Sequence, residues 1–200
     1  VPAKITPKDV TITGMAVEAS KTYDGKVSAT SVATNAKING KIDGDKVDIA
    51  VGNAKATYAD KNVGTGKTVT FSGFSLSGTD KDNYNLTAQP TDTTANITAR
   101  ELKITGFTVA DKTYDGNADA TITGITYDRI DGDDVEFANV RAEFQASALR
   151  AAADAEDDKN VSLTVTDNAL KGAAVENYTF GGIVTTPAVP TATATIHKAT

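Results

Sequence analysis

The chain contains one sequence pattern twice, in the same order, and this repetition limits what it can fold into. Residues 21–25 read Lys-Thr-Tyr-Asp-Gly, and residues 112–116 read the same. Three further matches follow: 43–47 with 131–135, 60–63 with 158–161, and Asn83-Tyr84 with Asn177-Tyr178. Four ordered matches indicate two tandem copies of one unit of about 95 residues. A unit of this size can bury its own core, so the repeat predicts two similar domains rather than a solenoid.

The junctions between copies predict the domain boundaries. Residues 3–14 align without a gap with residues 95–106, and residues 194–198 match the same junction. The predicted parts are the tail of a preceding repeat at 1–10, repeat domain 1 at 11–98 and repeat domain 2 at 103–197. This pattern favours a segment of a longer array over a natural two-unit protein. Residues 97–102 of the junction include no Gly and no Pro, which predicts a short, stiff linker and an extended pair of domains.

Composition and alternation both predict a mainly β chain. Thr, Val and Ile are frequent, and Gly, Asn and Asp recur at short intervals, as in short strands joined by tight turns. Apolar and polar residues alternate at 47–51, 54–58, 67–71 and 162–166, so one face of each strand should pack on a core, as in antiparallel sheets. Repeat 2 also carries an alanine-rich insert without Gly or Pro, which predicts a short helix at 145–156. Repeat 1 should have a tight connection at the same place.

Charge and composition exclude several classes of protein. The formal net charge is −6 and the basic residues form no cluster, so nucleic acid is not an expected partner. The chain has no cysteine, which excludes disulfides and thiolate metal sites. No apolar run reaches the roughly 18–20 residues of a membrane span, so no membrane insertion is expected. We expect a monomer whose partners are neighbouring repeats of the same chain.

Six ordered motifs resemble those of YDG domains. They are Tyr-Asp-Gly, Gly-Asp-x-Val, Asp-Lys-Asn-Val-Gly, Leu-Ser-Gly, Asn-Tyr-x-Leu and a closing Ala-x-Ile. The resemblance covers nearly all of 11–97 and, less completely, 103–196. Such domains are similar to the "mostly β-grasp" modules of large bacterial surface adhesins and haemagglutinin-like exoproteins. The resemblance implies two tandem β-grasp-like domains in an extended arrangement, with Ig-like β-sandwiches as the alternative. It also implies an extracellular or cell-surface location, no catalytic activity and no shared ligand.

The repeated motifs are interpreted as structural. In Tyr23-Asp24-Gly25 and Tyr114-Asp115-Gly116, Gly is expected at a positive-φ turn position and Asp is expected to accept backbone N–H groups. The tyrosine is expected to pack with its hydroxyl on a polar partner. Asn83-Tyr84 and Asn177-Tyr178 are expected to be a turn asparagine followed by a core aromatic residue. Residues 64–68 resemble part of a phosphate loop, but Lys61 stands where that pattern needs Gly, so a hairpin turn is predicted instead.

Acidic pairs keep calcium open as the one cofactor alternative. The candidate ligands are Asp43, Asp45, Asp80, Asp82, Asp131 and Asp133. They stand at alternate positions, as in calcium loops, but without the ligand series and distal Glu of an EF-hand, so capping or solvated carboxylates are favoured. No catalytic residue is predicted: the single histidine, His197, lies in the terminal junction and no cysteine exists.

The sequence therefore predicts a non-catalytic spacer that projects a binding region away from a bacterial surface. The competing prediction is a module that binds a host glycan or protein, for which exposed aromatic residues would be the sign. Tyr127, which has no sequence counterpart in repeat 1, and the insert of repeat 2 are the places where a private function is expected. An enzyme is a distant third alternative.

Overall fold

Short β-strands are the main secondary structure of the described residues. The structure is a computed structural model that describes residues 3–32, 35–146, 151, 153–165, 170–180 and 192–200. The chain divides into two compact units, Val1–Thr98 (unit 1) and Ala99–Thr200 (unit 2). The prediction of a mainly β chain with two tandem, similar domains is confirmed. Among the described residues, no helix has both the length and the hydrophobicity that crossing a bilayer requires.

Unit 1 is built around a five-stranded mixed sheet. Its described strands are β1 (Lys8–Thr13), β2 (Ala16–Val17), β3 (Ser20–Thr22), β4 (Ser28–Ala29), β5 (Ser31–Val32), β6 (Lys37–Asn39), β7 (Asp48–Ala50), β8 (Lys55–Tyr58), β9 (Gly64–Ser72), β10 (Ser75–Ser77), β11 (Tyr84–Leu86) and β12 (Thr93–Thr98). The large sheet has the order β3-β12-β9-β8-β4, and a three-stranded sheet has the order β11-β1-β6. The pairs β3–β12 and β1–β11 are parallel. These parallel pairs distinguish the fold from an Ig-like sandwich of antiparallel sheets.

Unit 2 repeats this topology. Its described strands are β13 (Arg100–Glu101), β14 (Ile104–Val109), β15 (Lys112–Thr113), β16 (Asp119–Ala120), β17 (Ile122–Tyr127), β18 (Glu136–Phe137), β19 (Val140–Phe144), β20 (Glu156–Val165), β21 (Leu170–Lys171), β22 (Tyr178–Thr179) and β23 (Ala192–His197). Its five-stranded sheet has the order β15-β23-β20-β19-β16, and β15–β23 and β13–β22 are the matching parallel pairs. The units therefore share strand order and strand direction, not only motifs.

The predicted alternation produces a separate core in each unit. Alternate residues of β8, β9 and β20 are buried, with Val69 and Phe71 among them in unit 1 and Val161 and Leu163 in unit 2. Burial of a side chain such as Phe71 stabilises the fold by roughly 2–3 kcal/mol. Each unit thus contains the apolar residues that hold it together.

The first strand of each unit begins earlier than the junction alignment indicates. β1 starts at Lys8 and Val10 lies in the core of unit 1, although the alignment places residues 1–10 in a preceding repeat. In unit 2, β13 starts at Arg100 and Leu102 is fully buried, before the expected start at 103. The cause is pairing with a strand that is distant in sequence. β1 pairs with the strand that begins at Tyr84, and β13 pairs with the strand that begins at Tyr178.

The insert of repeat 2 ends as a strand rather than a helix. Residues 147–150 and 152 of the predicted helix at 145–156 lie outside the described residues. The described part is not helical: Asp154 lies in a bend after a turn and Glu156 already begins β20. Glu156 pairs with Ile196, so strand pairing overrides the helix propensity of alanine at this end. In unit 1, residues 59–63 make the short connection that the sequence predicts.

The prediction of a hairpin turn at the glycine-rich stretch, residues 64–68, is wrong. Gly64 and Gly66 lie inside β9, which runs without interruption to Ser72. Gly66 has φ 60°, and the register between β9 and β12 shifts between Ala95 and Ile97. The glycines therefore produce a β-bulge, which needs the same positive φ as many turns. After Lys67 the chain continues as strand to Ser72, whereas a phosphate loop is followed directly by a helix.

Candidate functional site: clamped turns and tyrosine–aspartate pairs

A lysine closes the Tyr-Asp-Gly turn of unit 1. The turn joins β3 to β4, the two edges of the five-stranded sheet. The Lys21 amine donates to Asp24 Oδ1 at 2.7 Å, to the Lys26 carbonyl at 2.6 Å and to the Ser28 carbonyl at 3.0 Å. Asp24 also accepts the Lys26 backbone N–H at 3.0 Å, and Gly25 has φ 73°. One amine thus ties both ends of the turn to its carboxylate.

Unit 2 builds the same clamp from Lys112. Its amine contacts Asp115 Oδ1 at 2.7 Å, donates to the Asp119 carbonyl at 3.1 Å and donates to Asn117 Oδ1 at 2.8 Å. Asp115 accepts the Asn117 backbone N–H at 3.1 Å, and Gly116 has φ 82°. The glycine and aspartate roles that the motif predicts are therefore present in both turns. The lysine belongs to the repeated pattern as well, but sequence reasoning gave it no role.

These contacts keep the aspartates ionised. Burial raises the pKa of Asp24, but the hydrogen bonds from Lys21 and from the Lys26 N–H outweigh it, so the pKa lies below its ordinary value. The hydrogen bond from Lys112, followed by the Asn117 N–H, lowers the pKa of Asp115. Both shifts follow from donors that bind the charged form of the carboxylate. In each turn the lysine and the aspartate form an ion pair, so each charge is balanced by the other.

The two motif tyrosines have different surroundings. Tyr23 is 1% exposed, whereas Tyr114 is 44% exposed. The Lys61 amine lies 5.9 Å from the centre of the Tyr23 ring. The matching Lys159 is buried instead and donates to the Ala151 carbonyl at 2.6 Å and to Glu156 Oε2 at 3.1 Å. The prediction that the motif tyrosine packs against the rest of its unit is therefore wrong for Tyr114, which is exposed. In repeat 2 the lysine binds the longer connection, at Ala151 and Glu156.

A second repeated contact joins two motifs that lie far apart in the chain. The Tyr84 hydroxyl donates to Asp45 Oδ2 at 2.5 Å and accepts the Ile42 N–H at 3.0 Å. In unit 2 the Tyr178 hydroxyl donates to Asp133 Oδ2 at 2.8 Å and accepts the Ile130 N–H at 2.9 Å. The hydrogen bond to Asp45, together with partial burial, raises the pKa of Tyr84. Each pair fixes the Asp-Gly-Asp turn against the strand that begins with the tyrosine.

Short 3-10 turns deliver these tyrosines. Lys81–Asn83 and Val175–Asn177 form the two turns, and the Asn83 N–H donates to the Asp80 carbonyl at 3.1 Å. Tyr84 and Tyr178 follow directly, and both are buried. The asparagine and tyrosine thus occupy the turn and core positions that their motif predicts.

Four of the six calcium candidates serve as hydrogen-bond acceptors or ion-pair partners in the described residues. Asp45 and Asp133 bind the tyrosines, Asp80 accepts the Lys46 N–H at 2.7 Å, and Asp82 pairs with Lys81 at 2.7 Å. Asp43 and Asp131 stand at the start of the same turns as Asp45 and Asp133. Across the part of the chain that the structure describes, no three His, Asp or Glu side chains come together as a metal-binding group.

Tyr127 has a structural counterpart that sequence alignment missed. Ile104 of unit 2 pairs with Tyr127, and the aligned residue of unit 1, Ile12, pairs with Ile38. Ile38 is therefore the structural counterpart of Tyr127. The Tyr127 ring packs edge-on against Phe137, with centroids 5.6 Å apart, and Phe137 packs against Phe180 at 5.1 Å. Tyr127 therefore belongs to an aromatic cluster inside unit 2. The exposed aromatic residue of this unit is Tyr114, beside the His197 carbonyl that its N–H contacts at 2.8 Å.

Comparison with known proteins gives one match. A family model described as YDG domain matches residues 6–94 and 98–188, which together cover most of the chain. No curated protein and no solved structure matches this chain. The two matched segments contain both clamped turns and both tyrosine–aspartate pairs.

Proposed function

Because this chain belongs to the YDG domain family, we propose that it is a non-catalytic repeat module of a bacterial cell-surface or secreted adhesin. In this role it is a stalk that projects a binding region away from the cell. Its partners are the neighbouring repeats of the same chain, and its location is extracellular. The work of such a module is mechanical, since it consists in keeping a fold and a length.

One observation carries this proposal: each unit holds a complete copy of the same reinforcing contacts. The lysine clamps of Lys21 and Lys112 tie the turn between the edges of the large sheet. The tyrosine–aspartate pairs join a turn to a strand 39 and 45 positions further along the chain. A binding or catalytic site would need only one copy of its residues, whereas a spacer benefits from identical support in every unit.

The geometric contribution of each unit follows from its size. A compact domain of about 95 residues is roughly 30–35 Å across, so each repeat adds about that much reach. A linker without Gly or Pro limits bending, which is the expectation for residues 97–102. The length of the whole stalk would then scale with the number of repeats.

Small-angle scattering of the chain with and without calcium tests this proposal. We expect a rod about two domains long in both conditions, because the linker itself supplies the stiffness. A compact particle would overturn the spacer model. A flexible particle that straightens only with calcium would assign the stiffness to the Asp-rich turns at Asp43–Asp45 and Asp131–Asp133.

The exposure of Tyr114 favours a second candidate function, a module that binds a host glycan or protein. Exposed tyrosine faces serve as platforms for sugars, and Tyr114 presents such a face while Tyr23 does not. A glycan array with the intact chain and with Tyr114→Ala tests it, with Val51→Ala as a control of similar exposure. Binding that disappears only with Tyr114→Ala would support this function, and an array without signal would leave the spacer as the sole proposal.

A further inference from the structure

Asn39 in unit 1 and Asp128 in unit 2 occupy the same place in the two folds. Asn39 pairs with Thr11 where β6 meets β1. Asp128 makes the corresponding contact with Lys103, whose carbonyl accepts the Asp128 N–H at 3.1 Å. Thr11 and Lys103 are aligned positions of the two repeats. The two units therefore differ here by an amide against a carboxylate.

The carboxylate of unit 2 is held by two neighbours. Asp128 Oδ1 accepts the Lys103 backbone N–H at 2.7 Å, and Arg100 lies 3.4 Å from Asp128 Oδ2. The counterpart of Arg100 in unit 1 is Lys8, because Lys8 pairs with Tyr84 as Arg100 pairs with Tyr178. Unit 1 thus carries a cation, Lys8, and a backbone N–H, that of Thr11, at the positions that correspond to Arg100 and Lys103 in unit 2.

The two positions also differ in the residue that follows them. Gly40 follows Asn39, whereas Arg129 follows Asp128. Gly40 has no side chain to shield its backbone nitrogen, and its φ of 93° places it in a turn at the end of the strand. Asn39 is exposed, and within the described residues its side-chain amide makes no hydrogen bond. It ends a three-residue edge strand, the type of segment that opens locally at low cost.

We propose that Asn39 is a site of spontaneous deamidation, which gives unit 1 the charged arrangement that unit 2 carries. The Gly40 nitrogen loses its proton to hydroxide and attacks Cγ of Asn39. The bond from Cγ to the side-chain nitrogen breaks, and ammonia leaves after taking up a proton. Water then opens the cyclic imide at either carbonyl, to give aspartate or isoaspartate. One ammonia leaves, one water enters, and no oxidant or cofactor is needed.

The two products have opposite consequences. The aspartate product places a carboxylate at the position that corresponds to Asp128, opposite Thr11 of β1, the strand that begins with Lys8. The isoaspartate product adds a methylene to the main chain and breaks the pairing of Asn39 with Thr11. Unit 1 becomes one charge more negative in either case. Because the reaction needs no enzyme, the deamidated fraction at this site would increase with the age of the protein.

Peptide mapping by mass spectrometry during incubation at 37 °C and pH 8 tests the proposal. We expect the peptide with Asn39 to gain about 1 Da at least about tenfold faster than the peptide with Asn53, which is exposed but precedes Ala54. Asn39→Gln should remove the gain at this position and leave the other asparagines unchanged. Equal rates at Asn39 and Asn53, or no gain at Asn39, would overturn the assignment.

A second variant separates the reaction from its structural consequence. Asn39→Asp reproduces the aspartate product. Its melting temperature should be higher than that of the parent, by up to a few degrees. Lys8→Gln should cancel this gain in the Asn39→Asp background and have a smaller effect in the parent. A lower melting temperature for Asn39→Asp than for Asn39→Ala would contradict the ion pair with Lys8.

Discussion

At the scale of single residues, each unit depends on side chains that bind polar groups outside their own strand. The Lys21 amine contacts three oxygens of the turn between β3 and β4, and Lys112 repeats this in unit 2. The Tyr84 and Tyr178 hydroxyls contact both a carboxylate and a backbone N–H. Such residues are polar anchors, so their loss leaves partners that water must satisfy.

The clamped aspartates should make the fold sensitive to acid. The pKa values of Asp24 and Asp115 are lowered in the folded state, so their stabilising effect is complete above the unfolded pKa of about 3.9. It is lost as the pH falls through the lower, folded pKa. Urea unfolding at pH 7, 5, 4 and 3 should show a falling free energy of unfolding below about pH 5. Lys21→Met with Lys112→Met should flatten this fall, and an unchanged profile would contradict the clamp.

Replacing the paired tyrosines by phenylalanine should destabilise unit 2 more than unit 1. Tyr178→Phe removes a donor from Asp133, which is 6% exposed, at an expected cost of about 2 kcal/mol. Tyr84→Phe should cost less, because Asp45 is only half-buried and water can replace the hydroxyl. Chemical denaturation of the two variants checks the order. A larger loss for Tyr84→Phe would show that burial of the aspartate does not set the cost.

At the scale of strands and turns, glycines decide where the chain can approach itself. Gly66 produces the bulge in β9, and Gly78 allows the turn after β10 to lie against the Lys46 carbonyl. Gly172 has the same position against the Asp134 carbonyl in unit 2. The repeated Leu-x-Gly motif is thus explained by a close backbone contact rather than by a ligand.

Gly78→Ala should destabilise unit 1 by about 3 kcal/mol, since a Cβ adds both a clash and positive-φ strain. An added Cβ would overlap the Lys46 carbonyl oxygen, and Gly78 has φ 101°. Gly44→Ala is the matched control: it has φ 94° but no atom within 4 Å of the added Cβ, so only strain of about 1 kcal/mol is expected. Thermal unfolding of both variants measures the difference. Equal losses would show that the contact with Lys46 is unimportant.

At the scale of the whole molecule, the chain consists of two units with separate cores and separate networks. Val69 and Phe71 belong to the core of unit 1, and Phe144 and Val161 to that of unit 2. The units still differ in content, since Tyr127, Phe137 and Phe180 pack together only in unit 2.

Residues 1–98 and 99–200 should each fold when produced separately. Each contains its complete five-stranded sheet, its clamp and its tyrosine–aspartate pair. Dispersed amide spectra and a cooperative thermal transition for each piece are the expected results. A piece that remains unfolded alone but folds when the other is added would show that the units are one cooperative domain.

Local patterns in the sequence determined the number of units, the β class, the strand at 55–58, residues 67–71 of β9 and the turn role of the Tyr-Asp-Gly motifs. These features depend on neighbours within a few residues, so alternation and turn chemistry are sufficient to predict them. The parallel pairs, the contacts of the Tyr84 hydroxyl and the different exposure of Tyr23 and Tyr114 came from the tertiary structure. They join residues that are tens of positions apart, and no periodicity records which distant groups will meet. The same reason explains Ile38, whose equivalence to Tyr127 follows from strand register and is invisible to alignment.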